Sequence, residues 1–228
     1  MERVLCYRDA VARPRLHELP ELLDTAERLV AEVGAGKVTV RALATAAGVP
    51  NGTIYHAFGS ITALLGRVWL RAATDFLELQ TELAEAALDD SGAEGAVVAA
   101  ADAPAVFALR RPAAARMLLT VKKDQLLGPQ LPAEIADALL TLDKRLVALL
   151  IRLADRQWGR RDAAAVEVLT TCVVDLPTAL FRRALTGPPA GQAASITTDT
   201  RDRLAAAVRA VLAIPPLPRT RPAPTTKD

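Results

Sequence analysis

Residues 38–58 read VTVRALATAAGVPNGTIYHAF and predict two short helices joined at a glycine. Four apolar residues of the first segment recur at helical spacing and form one stripe: Val40, Leu43, Ala44 and Ala47. Thr39 precedes the stripe and is suited to accept a backbone hydrogen bond as the N-cap. Arg41 and Thr45 point away from it. The first helix therefore has one face to bury and one polar face to expose.

A sharp change of direction separates the two helices. Gly48 is the residue type best able to take a left-handed backbone at a helix end, and Pro50 blocks straight continuation. Ile54 and Phe58 lie one helical turn apart and are expected to pack inward. Five residues are then left on the outer side: Asn51, Gly52, Thr53, Tyr55 and His56. The pattern predicts a helix-turn-helix whose second helix presents polar and aromatic side chains to a partner.

Several spaced stretches resemble the DNA-binding region of the TetR family of transcriptional regulators. They are Thr39 to Ala44, Ala47-Gly48-Val49, Gly52 to His56 and Phe58-Gly59-Ser60, within a match from about Leu19 to Val68. With the helical periodicity, the resemblance implies an all-α fold of about nine helices. A three-helix, N-terminal DNA-binding domain would precede a larger helical ligand-binding and dimerisation domain. The implied function is a ligand-responsive regulator, most simply a repressor, that binds a palindromic operator as a homodimer.

The second helix of a helix-turn-helix lies in the major groove of double-stranded DNA. Asn51 and Thr53 are the candidates for base edges, because amides and hydroxyls pair there. The candidates for phosphate contacts, which fix position and not sequence, are Lys37, Thr39, Arg41, Tyr55 and His56. Val40 and Gly52 complete the predicted DNA-binding surface.

The charge distribution favours a polyanionic partner for this region. The chain has a formal net charge of only +2, yet residues 33–74 contain no Asp or Glu. Lys37, Arg41, Arg67 and Arg71 lie in this window. We therefore expect the window to be electropositive where a phosphate backbone approaches.

Three positions depart from the pattern of the resembled family. Ile61 and Thr62 stand where a Lys and an acidic residue are usual, and Pro50 stands where a Ser cap is common. These departures remove one phosphate contact and one side-chain cap from the expected set. They support an alternative function, a helical ligand- or protein-binding dimer that has lost sequence-specific DNA binding.

The rest of the chain predicts apolar helices without β-branched alternation. The expected segments are 93–103, 104–110, 112–121, 132–158, 162–185 and 198–213, after a loop at residues 89–92. Pro104, Pro112 and Pro132 suit first-turn positions, and Pro177 is expected to kink its helix. The predicted division is a basic N-terminal arm at 1–15, the DNA-binding domain at 16–62, the regulatory and dimerisation domain at 63–213, and a Pro-rich disordered tail at 214–228.

Two C-terminal helices are candidates for the dimer interface, because such helices form it in the resembled family. The predicted interface residues are Val166, Leu169, Val173, Leu176, Leu180, Leu204, Val208 and Val211. The alternative is that both helices belong to the core of one subunit. A helix-turn-helix that reads a short site gains affinity and register from two-fold duplication, which favours the interface.

The effector site is not assigned to residues. The apolar residues that can line a cavity, or simply fill the core, are Phe107, Met117, Leu118, Leu119 and Trp158. Four basic residues can attract an acidic compound or form a solvated face: Arg110, Arg111, Lys122 and Lys123. Effectors of the resembled family bind between the central helices and change the separation of the DNA-binding domains.

The sequence has few features that would indicate an enzyme or a membrane protein. Cys6 and Cys172 lack metal-ligand or disulfide spacing, which favours a reducing cytoplasm. Neither a signal peptide nor an apolar run of about 20 residues is present, so a cytoplasmic protein without a membrane partner is expected. The histidines are His17 and His56, and zinc, nucleophile-elbow and dinucleotide motifs are missing from the sequence. No catalytic residue, metal site or cofactor is assigned, and an enzyme is not expected.

Overall fold

The computed structural model describes residues 18–121, 131–186 and 196–218, and every regular element in these ranges is helical. The all-α prediction is confirmed for the described residues, and their helices are numbered α1 to α9 in chain order. The basic arm at 1–15 lies outside the described residues, as do residues 219–228 of the predicted tail.

The first three helices form the predicted helix-turn-helix unit. They are α1 (Glu18–Val33), α2 (Val40–Ala47) and α3 (Asn51–Phe58). The Thr39 hydroxyl accepts a hydrogen bond from the Ala42 N–H at 3.1 Å, so the N-cap prediction is confirmed. Gly48 ends α2 with a left-handed backbone at φ 68°, which a side chain at this position would disfavour. The reversal between α2 and α3 therefore follows from local sequence.

One long helical element, Ile61–Arg110, bends at Gly92, where φ is 71° and ψ is −167°. We call its two limbs α4 (residues 61–91) and α5 (residues 93–110). The loop expected at residues 89–92 is thus wrong, because the chain leaves the helical conformation at Gly92 alone. The expected helix start at Pro104 is also wrong, since this proline lies inside α5.

Gln80 explains how α5 accommodates a proline. Pro104 has no backbone N–H and cannot donate to the Ala100 carbonyl four residues earlier. The Gln80 Nε2 of α4 donates to that carbonyl at 2.9 Å. A side chain of the neighbouring helix therefore replaces the missing backbone hydrogen bond.

The remaining helices complete an all-α body. They are α6 (Pro112–Thr120), α7 (Ala133–Trp158), α8 (Ala163–Thr170, Thr171–Asp175 and Leu176–Thr186) and α9 (Thr198–Leu212). The middle part of α8 is a π-helical turn directly before Pro177. Widening the helix at this point accommodates the proline ring, so the helix continues through Pro177.

Two apolar cores hold these helices together. One core joins α1, α2 and α3 to α4, α5 and α6, and it includes Leu43, Phe107 and Met117. The other joins α4 and α5 to α7, α8 and α9 around Phe181, whose side chain is fully buried. Because the first core crosses residue 62, the proposed DNA-binding and regulatory domains share a packed boundary.

Two helical segments are long and apolar enough to cross a membrane by length and composition, Ile61–Arg110 and Ala163–Arg182. Both carry fully buried core residues, such as Leu64 in the first and Leu169 in the second. Core helices of a folded domain have the same composition. We assign the buried sides of both segments to helix packing within the chain.

Candidate nucleic-acid interface and effector cavity

Helix α3 presents to solvent the side predicted to face DNA. Ile54 and Phe58 are buried and attach the helix to the first core. Tyr55 is 56% exposed, and Asn51 and His56 are exposed as well. Gly52 is also exposed, and Thr53 is half-buried. The structure therefore brings the five predicted residues of this helix to one accessible end of the molecule.

The residues around α2 extend this surface. Lys37, Thr39 and Arg41 are exposed. Val40 is half-buried and packs against the first core, so it supports the surface more than it contributes to it. Ile61 packs against the same core at the start of α4. Its aliphatic side chain therefore has a structural role at a position where the resembled family carries a lysine.

The surface formed by residues 33–74 carries less positive charge than the sequence of this window indicates. The guanidinium of Arg67 lies 2.6 Å from Glu134 Oε1 of α7. Arg71 is paired with Asp24 at 2.8 Å and with Glu27 at 3.1 Å, both in α1. Carboxylates that are distant in sequence thus neutralise two of the four cations. Lys37 and Arg41 are the two that the structure leaves facing solvent.

A cavity of about 250 Å³ lies between the central helices α4 to α8. Three aromatic side chains contribute to its wall, Trp69, Phe76 and Phe107. The polar contributors are Gln80, Asp143 and Thr178. The remaining lining is aliphatic, from residues including Leu77, Leu118, Leu142, Leu146 and Pro177. The arrangement suits an apolar small molecule with few polar groups.

The residues considered for a cavity from sequence divide into three groups. Phe107 and Leu118 line it. Met117 is buried in the first core, and Trp158 packs against the second. The side chain of Leu119 lies outside the described residues, as do Lys122 and Lys123. Gln80 was missed, although a polar residue in register with Ala73, Leu77 and Ala84 on one helix face was a usable signal.

Arg111 joins the cavity wall to the helix-turn-helix unit. Its guanidinium donates to Glu27 Oε2 of α1 at 2.8 Å and also pairs with Asp75 of α4. Its backbone N–H donates to the Phe107 carbonyl at 2.7 Å, and its carbonyl accepts from the Ala115 N–H at 3.0 Å. Phe107 and Ala115 both line the cavity. Arg111, one of the four basic residues considered for attracting an acidic ligand, is therefore engaged by carboxylates of the protein itself.

The predicted dimer residues lie in two different environments. Leu169, Val173, Leu204 and Val208 are buried in the second core of the same chain, so they are not accessible to a second subunit. Val166, Leu176 and Val211 are half-buried, and Leu180 is 36% exposed. The broad apolar stripe read from the sequence thus combines a core face and an outer face.

The structure offers no reactive or metal-binding centre among the residues it describes. Burial raises the pKa of the Cys172 thiol to about 11, so the nucleophilic thiolate is disfavoured at neutral pH. Within the same residues, no group of three or more His, Cys, Asp or Glu side chains is placed to hold a metal ion.

Comparison with known proteins agrees with this geometry. Residues 22–68 match the family model for bacterial regulatory proteins of the tetR family. No curated protein sequence matches the chain significantly. A tetR-family regulatory protein from Rhodococcus RHA1 superposes with a TM-score of 0.61 at 16% identity, over 86% of this chain and 95% of that one.

Two further solved structures have the same fold. A TetR-family regulator from Streptomyces coelicolor has a TM-score of 0.55 and 22% identity, and covers 86% of this chain and 98% of its own. A transcriptional regulator from Saccharomonospora viridis, solved with choline, has a TM-score of 0.61 and 21% identity over 86% and 97%. Residues 22–68 thus match the model of the tetR family of bacterial regulatory proteins, and the chain has the fold of the solved TetR-family regulators.

Proposed function

We propose that this protein is a ligand-responsive transcriptional regulator, most simply a repressor, that binds a palindromic operator as a homodimer in the cytoplasm. The observation that carries the proposal is the exposure of Asn51, Tyr55 and His56 on a helix whose opposite side is anchored by Ile54 and Phe58. The helix enters the major groove through its outer side. Two such helices in a dimer reach successive grooves one turn apart, about 34–36 Å.

The outer face of α8 supports the dimer. The segment Ala163–Arg182 contains an apolar stretch of 18 residues, of which only 33% are buried within one chain. Leu180 contributes exposed apolar surface to this face. Val166 and Leu176, with Val211 of α9, pack partly against the second core and leave part of their side chains exposed beside it. A second copy of the same helices would remove that surface from water, and a two-fold axis gives both subunits the same contacts.

The cavity and Arg111 support ligand responsiveness. A molecule in the cavity would contact Phe107 and Ala115, one helical turn before and after Arg111. Arg111 in turn holds Glu27 of the DNA-binding unit. A ligand that shifts the α5–α6 corner would therefore move α1, and with it the separation of the two recognition helices. The choline complex of the Saccharomonospora viridis regulator supports a small-molecule site in this fold.

The test of DNA recognition is selection of binding sites from random double-stranded DNA, followed by titration of the selected site at several salt concentrations. We expect an inverted repeat, affinity in the nanomolar range and a steep loss of affinity with salt. Recovery of no motif, with no binding up to tens of micromolar, would instead support the alternative dimer without DNA recognition. The absence of a side-chain cap at Pro50 is the observation that favours that alternative.

Arg41→Ala is expected to weaken binding to all DNA sequences alike. Arg41 is exposed beside the recognition helix and is assigned to a phosphate, which carries no sequence information. The slope of log affinity against log salt should fall by about 1 for each bound subunit. Arg203→Ala, an exposed arginine of α9, is the matched control and should change neither quantity. A change of base preference in Arg41→Ala would contradict the assignment.

Asn51→Ala is expected to relax the preference at one base position of each half-site. The exposed amide at the first residue of α3 can pair with a base edge, and its loss should cost about 1–3 kcal/mol of discrimination. Binding-site selection with the variant measures this directly. Thr45→Ala, an exposed residue of α2, is the control. An unchanged selected motif would rule out the role given to Asn51.

A further inference from the structure

We propose that the effector is an uncharged or cationic apolar molecule with a ring and one N–H or O–H group. This group donates a hydrogen bond to the side-chain oxygen of Gln80. This inference rests on the proposed ligand-responsive function and names the chemical class of the ligand. Three independent features of the cavity lead to it: an unpartnered acceptor, the charge of the wall, and the wall's aromatic character and size.

Gln80 supplies the acceptor. The residue is buried, with only 1% of its surface exposed. The amide cannot be turned around, since Nε2 is the atom that must face the Ala100 carbonyl, at 2.9 Å. This leaves Oε1 buried without a hydrogen-bond partner among the described residues. A buried acceptor without a partner is costly, so a ligand donor that satisfies it is favoured.

The charge of the wall determines which ligands are excluded. The lining that the structure describes contains no Lys, Arg or His, and Asp143 is its one ionisable side chain. Arg111, one of the basic residues considered for binding an acid, is engaged by Glu27 and Asp75, which do not line the cavity. An anion would be desolvated here without a compensating cation. The cavity therefore selects against carboxylates and phosphates.

The aromatic side chains and the volume set the size and shape of the ligand. Phe76 and Phe107 meet edge to face, with ring centroids 5.5 Å apart and an interplanar angle of 69°. Trp69 lies in the same wall and is held by a hydrogen bond from Nε1 to the Val121 carbonyl at 3.2 Å. An apolar cavity of about 150 Å³ holds benzene. The 250 Å³ here has room for one ring with a short alkyl chain.

Three matched probes test the assignment by calorimetry on the full-length protein without DNA. They are 4-propylphenol, its methyl ether 4-propylanisole, and the anion 4-propylbenzoate. We expect the phenol to bind about tenfold more tightly than the ether, because the ether cannot donate to Oε1. The benzoate should bind most weakly of the three. Equal binding of phenol and ether, tightest binding by the benzoate, or no binding by any probe would each overturn the proposal.

A pair of variants separates the acceptor from the structural role of Gln80. Pro104→Ala restores a backbone N–H that can donate to the Ala100 carbonyl, so this carbonyl keeps a partner when Gln80 is replaced. Its second lone pair can still accept from Nε2 when Gln80 is present, which keeps the direction of the amide. Pro104→Ala should keep the preference for the phenol, and Pro104→Ala combined with Gln80→Leu should lose it. Persistence of the preference in the double variant would refute the role of Oε1. Because no DNA is present, failure of this test differs from failure of the proposed DNA recognition, which the operator titration measures by itself.

Discussion

Leu180→Glu is expected to convert the proposed dimer into a monomer and to weaken operator binding by about 10²–10⁴-fold. This is the range by which the affinity of two linked binding sites exceeds the affinity of a single site. Leu180 is one of the large exposed apolar residues of the chain, at 36% exposure, and it lies on the outer face of α8. Two-fold symmetry places a charge on each side of the interface, where each would be desolvated and close to the other. Both effects oppose association.

Size-exclusion chromatography with light scattering at micromolar concentration measures the oligomeric state, and titration of the selected operator measures the affinity. Leu109→Glu is the control, because Leu109 is 72% exposed at the end of α5 and lies outside the proposed interface. The control should remain a dimer with unchanged affinity. A Leu180→Glu variant that stays dimeric would show that α8 is not the interface.

Glu27→Gln is expected to lower the stability of the folded chain by about 2 kcal/mol, and to lower Tm by about 4–8 °C. The Glu27 side chain is 9% exposed and accepts from both Arg71 and Arg111. Removing its charge leaves two guanidinium groups, 24% and 30% exposed, without one of their negative partners, because the amide oxygen of Gln accepts a hydrogen bond but carries no charge. Their partial exposure to water keeps the loss below that of a fully buried pair.

Thermal unfolding followed by circular dichroism measures the effect, and Glu21→Gln, an exposed residue of the same helix, is the control. Comparing Glu27→Gln, Arg111→Gln and the double variant then isolates the contact between α1 and the α5–α6 corner. We expect the two single effects to be non-additive by about 1 kcal/mol. Additive effects would argue against a direct link between cavity wall and DNA-binding unit.

Most of the helix-turn-helix could be predicted because its determinants lie within a few residues of one another. The Thr39 cap reaches Ala42, and the left-handed Gly48 follows α2 directly. The inward pair Ile54 and Phe58 is separated by one turn. Such local rules also identified the side of α3 that faces solvent.

The cavity and the proposed dimer face could be predicted only in part. Phe107 and Leu118 were considered as lining residues, but Gln80 and Asp143 were not. The apolar stripe of α8 was evident, yet periodicity alone does not say whether an apolar side chain faces the same chain or another one. Burial of Leu169 and Val173 within the chain required the packed structure to establish it.

The sequence by itself determined the helical class, the position of the recognition helix and the residues that helix exposes, because spacing and capping act over three to four residues. Tertiary structure decided the ion pairs and the chemistry of the cavity lining. Glu134 neutralises Arg67 across 67 positions, and Glu27 holds Arg111 across 84. Gln80 completes the hydrogen bond that Pro104 removes from α5. These partners meet only when helices pack, so no local pattern could reveal them.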